Sequence, residues 1–243
     1  MVEAFWPIVT SLLACLVTMI GIYMIRRYEE WGKKSVAYFM CFASGVLISV
    51  SFLHIIPKSF EMNANAPIFL LAGYLFLHVT NRFFSGYVCH RLGSIESSLG
   101  PVASLGIGFH SFVDGIVYSV TFSVSILTGA LAALGMVLHE FPEGVVTFLL
   151  LSASGLDKKK STVYAIIAAA ITTPLGTLIS YPLIGSLEKP TLGALLAFSA
   201  GALVYVGATH LLPEAEKEGK KYSLLTLAIG ILVALLIVIS KAE

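Results

Sequence analysis

The amino-acid sequence predicts an all-α, polytopic membrane protein, and three observations predict this class. Hydrophobic residues make up 57% of the 243 residues, and charged residues make up 12%. An average soluble domain carries about 25% charged residues, so this chain has too little ionic surface to stay dissolved. The apolar residues also form continuous runs of about 20, the length of a helix that crosses a bilayer. A soluble enzyme is therefore excluded, and a net charge of +1 leaves no basic surface for nucleic acid.

Clusters of charged and turn residues separate eight apolar runs, so we predict eight transmembrane helices in a single domain covering residues 1–243. The spans cover residues 4–25, 36–56, 67–88, 101–122, 126–151, 161–184, 191–212 and 222–240. Helices are preferred because the runs are continuous, whereas the strands of a membrane β-barrel alternate over about 10 residues. The connecting loops are too short to hold a soluble domain.

Spans 1 and 3 need separate justification. No Lys or Arg precedes span 1, so it lacks the basic start of a cleaved signal peptide and is predicted to remain as a span. Span 3 is interrupted by His78, Asn81 and Arg82. His78 and Arg82 lie one turn apart and are predicted to extend toward the interface or to pair structurally.

The distribution of Lys and Arg predicts the orientation. Twelve of these residues lie in the odd-numbered loops, and only Lys58 and Lys189 lie in the even-numbered ones. The twelve are Arg26, Arg27, Lys33, Lys34, Arg82, Arg91, Lys158, Lys159, Lys160, Lys217, Lys220 and Lys221. Because positive charge is retained on the cytoplasmic side, the odd loops are predicted to be cytoplasmic and both termini to lie outside.

Spans 2 and 7 resemble each other at an offset of 156 residues without a gap. Phe42, Gly45, Leu47, Val50, His54 and Pro57 recur as Phe198, Gly201, Leu203, Val206, His210 and Pro213. Because span 7 comes five spans after span 2, the two copies cross the membrane in opposite directions. Inverted repeats are typical of secondary transporters, whose binding site lies near the midplane. Compositional similarity of two Gly-containing helices is the alternative, but His-x-x-Pro at matching ends favours the repeat.

Spans 4 and 5 carry two related motifs of the form H-x-x-x-[DE]-G. The first runs from His110 to Gly115 and the second from His139 to Gly144. A spacing of four places each His and its acid on one helical face, a turn apart, where both can reach one ion. Both histidines fall within about a turn of the predicted bilayer midplane.

Acids at this depth require compensation. Asp114, Glu140 and Glu143 all lie there, and an ionised acid at the helix centre costs about 2.5 to 3.5 kcal/mol. A divalent cation compensates directly, because imidazole and carboxylate suit Zn²⁺ and its first-row neighbours. His110, Asp114, His139 and Glu143 supply a four-ligand set. Glu140 could serve a second ion, with Ser111 as a weak oxygen partner and with Asp114 and Glu143 as bridges.

Two prolines inside the spans favour a permeation path. Pro142 in span 5 and Pro174 in span 6 leave the carbonyls of Leu138 and Ala170 without a helical donor.

The alternative for the buried histidines and acids is hydrogen bonding across the bundle, or proton transfer without metal. His54 and His210, toward the span ends, are either interfacial or part of a relay at each mouth.

The strings His-Ser-Phe-Val-Asp-Gly and His-Glu-Phe-Pro-Glu-Gly resemble the signature of the ZIP (Zrt/Irt-like) divalent metal transporters. The resemblance extends over nearly the whole chain. It implies a 3+2+3 inverted-repeat bundle that carries Zn²⁺, Fe²⁺, Mn²⁺ or Cd²⁺ toward the cytoplasm, with a binuclear centre between spans 4 and 5. It assigns the main transport site to His110, Asp114, His139 and Glu143, and a second site to Ser111, Glu140 and the bridging acids.

The chain departs from the family pattern at several positions. Many members have Asn in place of Ser111, Pro in place of Val113, and Glu in place of Thr173. The expected second site is therefore poorer in charge. The His-rich loop between spans 3 and 4 is reduced to His90, which with Cys89 we assign to an ordinary loop.

We therefore expect a divalent-metal transporter that works by alternating access in a plasma (inner) membrane. The metal ion is the bound substrate, no catalytic cofactor is expected, and the partners are metal ions and lipid, with a homodimer as a further alternative. One rival is an intramembrane zinc hydrolase, because His139-Glu140-Phe-Pro-Glu143 is one residue away from H-E-x-x-H. The second His is absent and Pro142 would distort that helix. The other rival is a proton-coupled carrier of another solute.

Overall fold

The computed structural model describes the backbone of residues 2–91, 96–184, 187–217 and 219–240. Side chains are described throughout these ranges except at residues 2–4, 32–33, 84–91, 96–103, 105–106 and 240. Within the described ranges the chain folds into helices and contains no strand, which confirms the all-α class.

The helices follow the apolar runs, and we number them α1 to α8. Helices α1, α3, α4, α5 and α8 cover Val2–Arg27, Ala66–Arg91, Glu96–Val124, Ile126–Ala153 and Ser223–Ser240. Helix α2 comprises Glu29–Val50, Ser51–Ile55 and Ile56–Met62. Helix α6 comprises Lys158–Ala165, Ile166–Ile171 and Thr172–Ile184. Helix α7 comprises Lys189–Val204, Tyr205–Leu211 and Leu212–Lys217.

Six helices in the described part of the chain are long and apolar enough to cross a membrane. They are Phe5–Arg27, Lys34–Met62, Ile107–Val124, Ile126–Ala153, Lys158–Ile184 and Lys189–Lys217, and Ser223–Ile239 is a shorter apolar helix. The protein is therefore an integral membrane protein. The count of eight spans and their 3+2+3 arrangement remain predictions.

The middle segments of α2, α6 and α7 are π-helical, and each lies just before a proline. Ser51–Ile55 precedes Pro57, Ile166–Ile171 precedes Pro174, and Tyr205–Leu211 precedes Pro213. A proline lacks the N–H of a regular helix, and its ring clashes with the carbonyl four residues earlier. The wider π turn accommodates that clash, and such turns are frequent at functional sites.

The helices pack closely in four pairs. Helix α1 packs on α5, α6 on α4, α2 on α8, and α3 on α7. In each pair, each helix places a glycine against the backbone of the other helix, and a Cβ at that glycine would overlap this backbone. Close contacts through glycine are typical of packed membrane helices. The glycine pairs are Gly21 with Gly144, Gly176 with Gly115, Gly45 with Gly230, and Gly201 with Gly73. Exchanging α1–α3 with α6–α8, and α4 with α5, maps these pairs onto one another, which agrees with an inverted repeat.

Helix α6 starts at a side-chain cap. The Oδ1 atom of Asp157 accepts hydrogen bonds from the backbone N–H of Lys159 at 3.0 Å and of Lys160 at 2.9 Å. The Lys160 amide, together with the Lys159 amide and the Lys160 ammonium, holds the pKa of the Asp157 carboxyl below its ordinary value. The cap is therefore weakened only when the pH falls far enough to protonate this carboxyl.

Candidate metal centre

Four metal-ligating side chains converge where α4 packs on α5. His110 and Asp114 come from α4, and His139 and Glu143 come from α5. One ligand atom of each lies within 4.8 Å of those of the other three. No other group of three or more His, Cys, Asp or Glu side chains within the described residues meets this condition.

The distances within the group suit a tetrahedral ion. The Nε2 atom of His139 lies 3.2 Å from Oδ2 of Asp114 and 3.4 Å from Oε2 of Glu143. The Nε2 atom of His110 lies 3.5 Å from the same Asp114 oxygen. Zinc bonds of about 2.1 Å in a tetrahedron place neighbouring ligand atoms about 3.4 Å apart. Three of the six pairs of ligand atoms therefore lie at the spacing that one ion requires.

The local sequence explains this placement. Each His precedes its acid by four residues, so the two side chains share a helical face. The connection between the helices is a single residue, Ser125, whose hydroxyl caps α5 by accepting the Thr128 N–H at 3.0 Å. The short connection holds α4 and α5 side by side. Gly115 and Gly144, which follow the acids, allow α6 and α1 to approach from behind.

The site is buried on one side and open on the other. The exposed fraction of the side chain is 1% for His139, 3% for Asp114, 9% for Glu143 and 17% for His110. His210 of α7 is exposed, and its ring centre lies 6.1 Å from that of His110. Exposure therefore falls from His210 through His110 to the buried pair Asp114 and His139.

Ser111 orients one of the four ligands. Its hydroxyl donates to Oε1 of Glu143 at 2.5 Å and also lies 3.0 Å from the backbone carbonyl of Ile107. The other carboxylate oxygen of Glu143, Oε2, is buried and accepts no hydrogen bond. A buried acceptor without a donor is unusual, so its lone pairs remain available to a cation.

Glu140 points toward helices other than α4. It is completely buried, and it accepts hydrogen bonds from the hydroxyl of Thr18 in α1 and, at 3.2 Å, from that of Thr173 in α6. It is not part of the group whose ligand atoms lie within 4.8 Å of one another. The second ion site expected at Ser111 and Glu140 remains a prediction.

The two histidines related by the repeat have different surroundings. His210 faces His110, as described above, whereas His54 in α2 lies 3.2 Å, through Nε2, from the hydroxyl of Thr128 in α5. Thr128 is buried near the start of α5. The end of the bundle near His54 is thus bridged to α5, whereas His210 at the other end is exposed. Cys89 and His90 were expected in a loop, and this was wrong, because the backbone is helical through the end of α3 at Arg91; their side chains lie outside the described residues.

Thr18, Thr128 and the hydrogen-bonding role of Thr173 were not found from the sequence. Each is a hydroxyl residue within a mainly apolar helix, and such residues commonly bond the carbonyl four residues earlier, as Thr18 also does. Only the contact across helices distinguishes them. Thr173 carried one indirect signal, its position directly before Pro174.

A family model described as ZIP Zinc transporter matches residues 4–103 and 99–238. Among curated proteins, the zinc transporter ZupT of Nitratidesulfovibrio vulgaris is 31% identical over 245 residues, covering 87% of this chain and 88% of the relative. The zinc transporter ZupT of Chlorobium luteolum is 32% identical over 241 residues, covering 89% and 90%. The zinc transporter ZupT of Salmonella newport is 28% identical over 225 residues, covering 87% of each.

The four-ligand group, the bundle of long apolar helices and these matches over most of the chain agree with one another. The chain belongs to the ZIP zinc transporter family.

Proposed function

We propose that this protein moves divalent transition-metal ions, zinc foremost, across a membrane toward the cytoplasm through the site formed by His110, Asp114, His139 and Glu143. The observation that carries the proposal is the spacing of these ligand atoms, between 3.2 and 3.5 Å for the pairs His139–Asp114, His139–Glu143 and His110–Asp114. The relatives named as zinc transporters support zinc as the principal substrate. Iron, manganese and cadmium are further candidates, because nitrogen and oxygen donors accept several divalent ions.

Alternating access is the proposed mechanism. The ion loses its water to the two histidines and two acids, and is then released as one group of helices shifts against the other. The gradient of exposure from His210 to His139 supports a state that is open on the His210 side. The contact between His54 and Thr128 supports closure on the opposite side.

The proposed setting is a plasma (inner) membrane, with one transmembrane transporter domain over residues 1–243 and both termini outside. The excess of Lys and Arg in the odd-numbered loops supports this orientation. It places His210 on the cytoplasmic side and His54 on the outer side. A homodimer is part of the proposal, to be tested by the mass of the detergent-solubilised protein.

The hydrolase alternative does not apply, because the chain belongs to a transporter family rather than an enzyme family.

The deciding experiment for the function is uptake of ⁶⁵Zn²⁺ into liposomes that contain the purified protein. We expect saturable uptake that Cd²⁺ inhibits and that empty liposomes lack. Solute flux that is indifferent to chelators would instead favour a proton-coupled carrier of another solute.

Acidification on the side of entry should weaken zinc uptake. Imidazole binds a metal ion only when neutral, and a carboxylate binds best when ionised, so protons compete for all four ligands. We expect the apparent KM for zinc to rise steadily as the external pH falls from about 7.5 to about 5.5. The measurement is initial uptake rate against zinc concentration at each pH, with the internal pH fixed. A KM that falls with acidification would contradict direct competition.

A cysteine at position 210 should be accessible from the cytoplasmic side alone. In a chain whose Cys15, Cys41 and Cys89 are replaced by Ser, we expect His210→Cys to react quickly with a membrane-impermeant maleimide in inside-out vesicles. Zinc should slow the reaction, because position 210 faces His110.

Two control positions make this labelling experiment specific. Glu61→Cys, exposed at the other end of the bundle, should react only in right-side-out vesicles. Thr128→Cys, which is 1% exposed, should react poorly in both. Equal labelling of His210→Cys from the two sides would contradict the proposed access route.

A further inference from the structure

We infer that this protein binds a single metal ion per chain, and that Glu140 is a positioning residue that ties α1 and α6 to the metal-bearing helix α5 rather than a ligand. The inference rests on the proposed transport site at His110, Asp114, His139 and Glu143. It is carried by the hydrogen bonds of Glu140, Thr18, Thr173 and Ser111.

The hydrogen bonds of Glu140 leave it poorly placed to bind an ion. Its Oε2 atom accepts from the Thr18 hydroxyl and its Oε1 atom from the Thr173 hydroxyl. Both donors are completely buried, so water does not readily replace them. A Glu140 side chain that turned toward a second ion would leave these bonds, and the Thr173 hydroxyl of α6 would lose its buried acceptor, whereas the Thr18 hydroxyl would keep the carbonyl of Ala14. The loss at Thr173 costs about 1 to 3 kcal/mol.

The other residue expected at the second ion is also engaged. Ser111 donates its proton to Oε1 of Glu143, and a hydroxyl is in any case a weak metal ligand. The remaining donors, His110, Asp114, His139 and Glu143, are those that one tetrahedral ion uses. No further acid or imidazole of the described residues belongs to this group.

Charge balance also favours one ion. Asp114 and Glu143 together neutralise one divalent ion. Two divalent ions would carry four positive charges against at most three carboxylates, even with Glu140 counted as ionised. The excess positive charge would lie among side chains that are between 0% and 17% exposed, and an uncompensated charge there is costly.

The bonds of Glu140 instead join three helices at the site. Thr18 lies one turn before Ile22 on the face of α1 that meets Gly144, and Thr173 lies on the face of α6 that meets Gly115. Glu140, next to His139 in the chain, therefore fixes how α5 sits between α1 and α6. Removal of a group that hydrogen-bonds to a metal ligand typically lowers metal affinity about 10-fold to 100-fold, and we expect an effect of the same order from Glu140, which acts on the ligand-bearing helix.

The test is the amount of metal bound per chain. Purified protein is equilibrated with Zn²⁺, passed through a desalting column and analysed for zinc by mass spectrometry. We expect one ion in the parent, one in Glu140→Gln, and almost none in Asp114→Ala. Two ions in the parent and one in Glu140→Gln would overturn the inference. Zinc that is unaffected by Asp114→Ala would instead refute the proposed transport site, so the two failures are distinguishable.

Uptake kinetics separate a positioning role from a ligand role. The amide of Glu140→Gln keeps the size and an acceptor oxygen, so its KM should stay close to that of the parent. Glu140→Ala should raise KM about 10-fold to 100-fold while still binding one ion at saturation. Thr173→Val should shift KM in the same direction, although Thr173 has no ligand role. A Glu140→Gln variant as defective as Glu140→Ala, with Thr173→Val unaffected, would overturn the positioning role.

A gain of binding completes the test. Thr173→Glu adds a fourth carboxylate beside Glu140, which balances two divalent ions, and the zinc content should rise from one ion per chain to two. Thr173→Gln is the matched neutral control and should remain at one. Two ions in Thr173→Gln would show that charge does not limit the count and would overturn the inference.

Discussion

Replacement of His139 by Ala should abolish saturable zinc uptake. His139 is the most central of the four ligands, because its Nε2 atom lies 3.2 Å from Asp114 and 3.4 Å from Glu143. Its removal takes away one of four donors and leaves two buried acids to repel each other. Loss of a neighbour beyond the ligands costs about 10-fold to 100-fold in metal affinity, so loss of a ligand should cost at least about 100-fold. Glu143→Ala should have an effect of the same size.

The measurement is initial ⁶⁵Zn²⁺ uptake into liposomes over a wide range of zinc concentrations. His78→Ala is the matched control, since His78 is also a membrane histidine but is exposed, packs on the rings of Tyr74 and Tyr205, and is not part of the four-ligand group. It should transport at the parental rate. Elution of each variant as a single peak in detergent establishes that it has folded. Parental uptake by a well-folded His139→Ala variant would refute the site.

The sequence was sufficient to bring the four ligands of this site together as a hypothesis. Helical spacing alone places His110 with Asp114 and His139 with Glu143, because it depends only on residues four apart. The lipid environment strengthens the inference, since acids in an apolar run require a partner. The meeting of the two helices needed only the short turn at Ser125, which forces them to lie side by side.

The partners of Glu140 could not be predicted in the same way. Thr18 lies 122 residues from Glu140, and Thr173 lies 33 residues from it. Nothing in the local pattern selects one hydroxyl among many in apolar helices, so the sequence left Glu140 free for a second ion. The π turns before Pro57, Pro174 and Pro213 were also not predicted. A proline indicates that a helix must adjust, but not whether it kinks, breaks or widens.

Alanine at Gly201 or at Gly45 should strongly destabilise the fold. A Cβ at Gly201 would overlap the carbonyl oxygen of Leu70 and lie 2.7 Å from the amide nitrogen of Tyr74 in α3. A Cβ at Gly45 would overlap the carbonyl oxygen of Leu227 in α8. Both obstacles are backbone atoms of a packed helix, which cannot rotate away as a side chain can. An oversized side chain in a packed core typically lowers the free energy of unfolding by about 1 to 3 kcal/mol. We expect a clash with backbone to lower it by an amount at or above the upper end of that range.

Thermal unfolding in detergent, followed by the loss of the monodisperse peak, measures this effect. Gly207→Ala is the matched control on α7, because its Cβ would meet the side chain of Ile48 at 3.0 Å and that side chain can shift. Gly207→Ala should lower the unfolding midpoint less than Gly45→Ala or Gly201→Ala does. Since Gly45 and Gly201 occupy equivalent positions 156 residues apart, their substitutions should lower the unfolding midpoint by similar amounts. A large loss at one and none at the other would contradict equivalent packing in the two halves, and with it the inverted repeat on which alternating access depends.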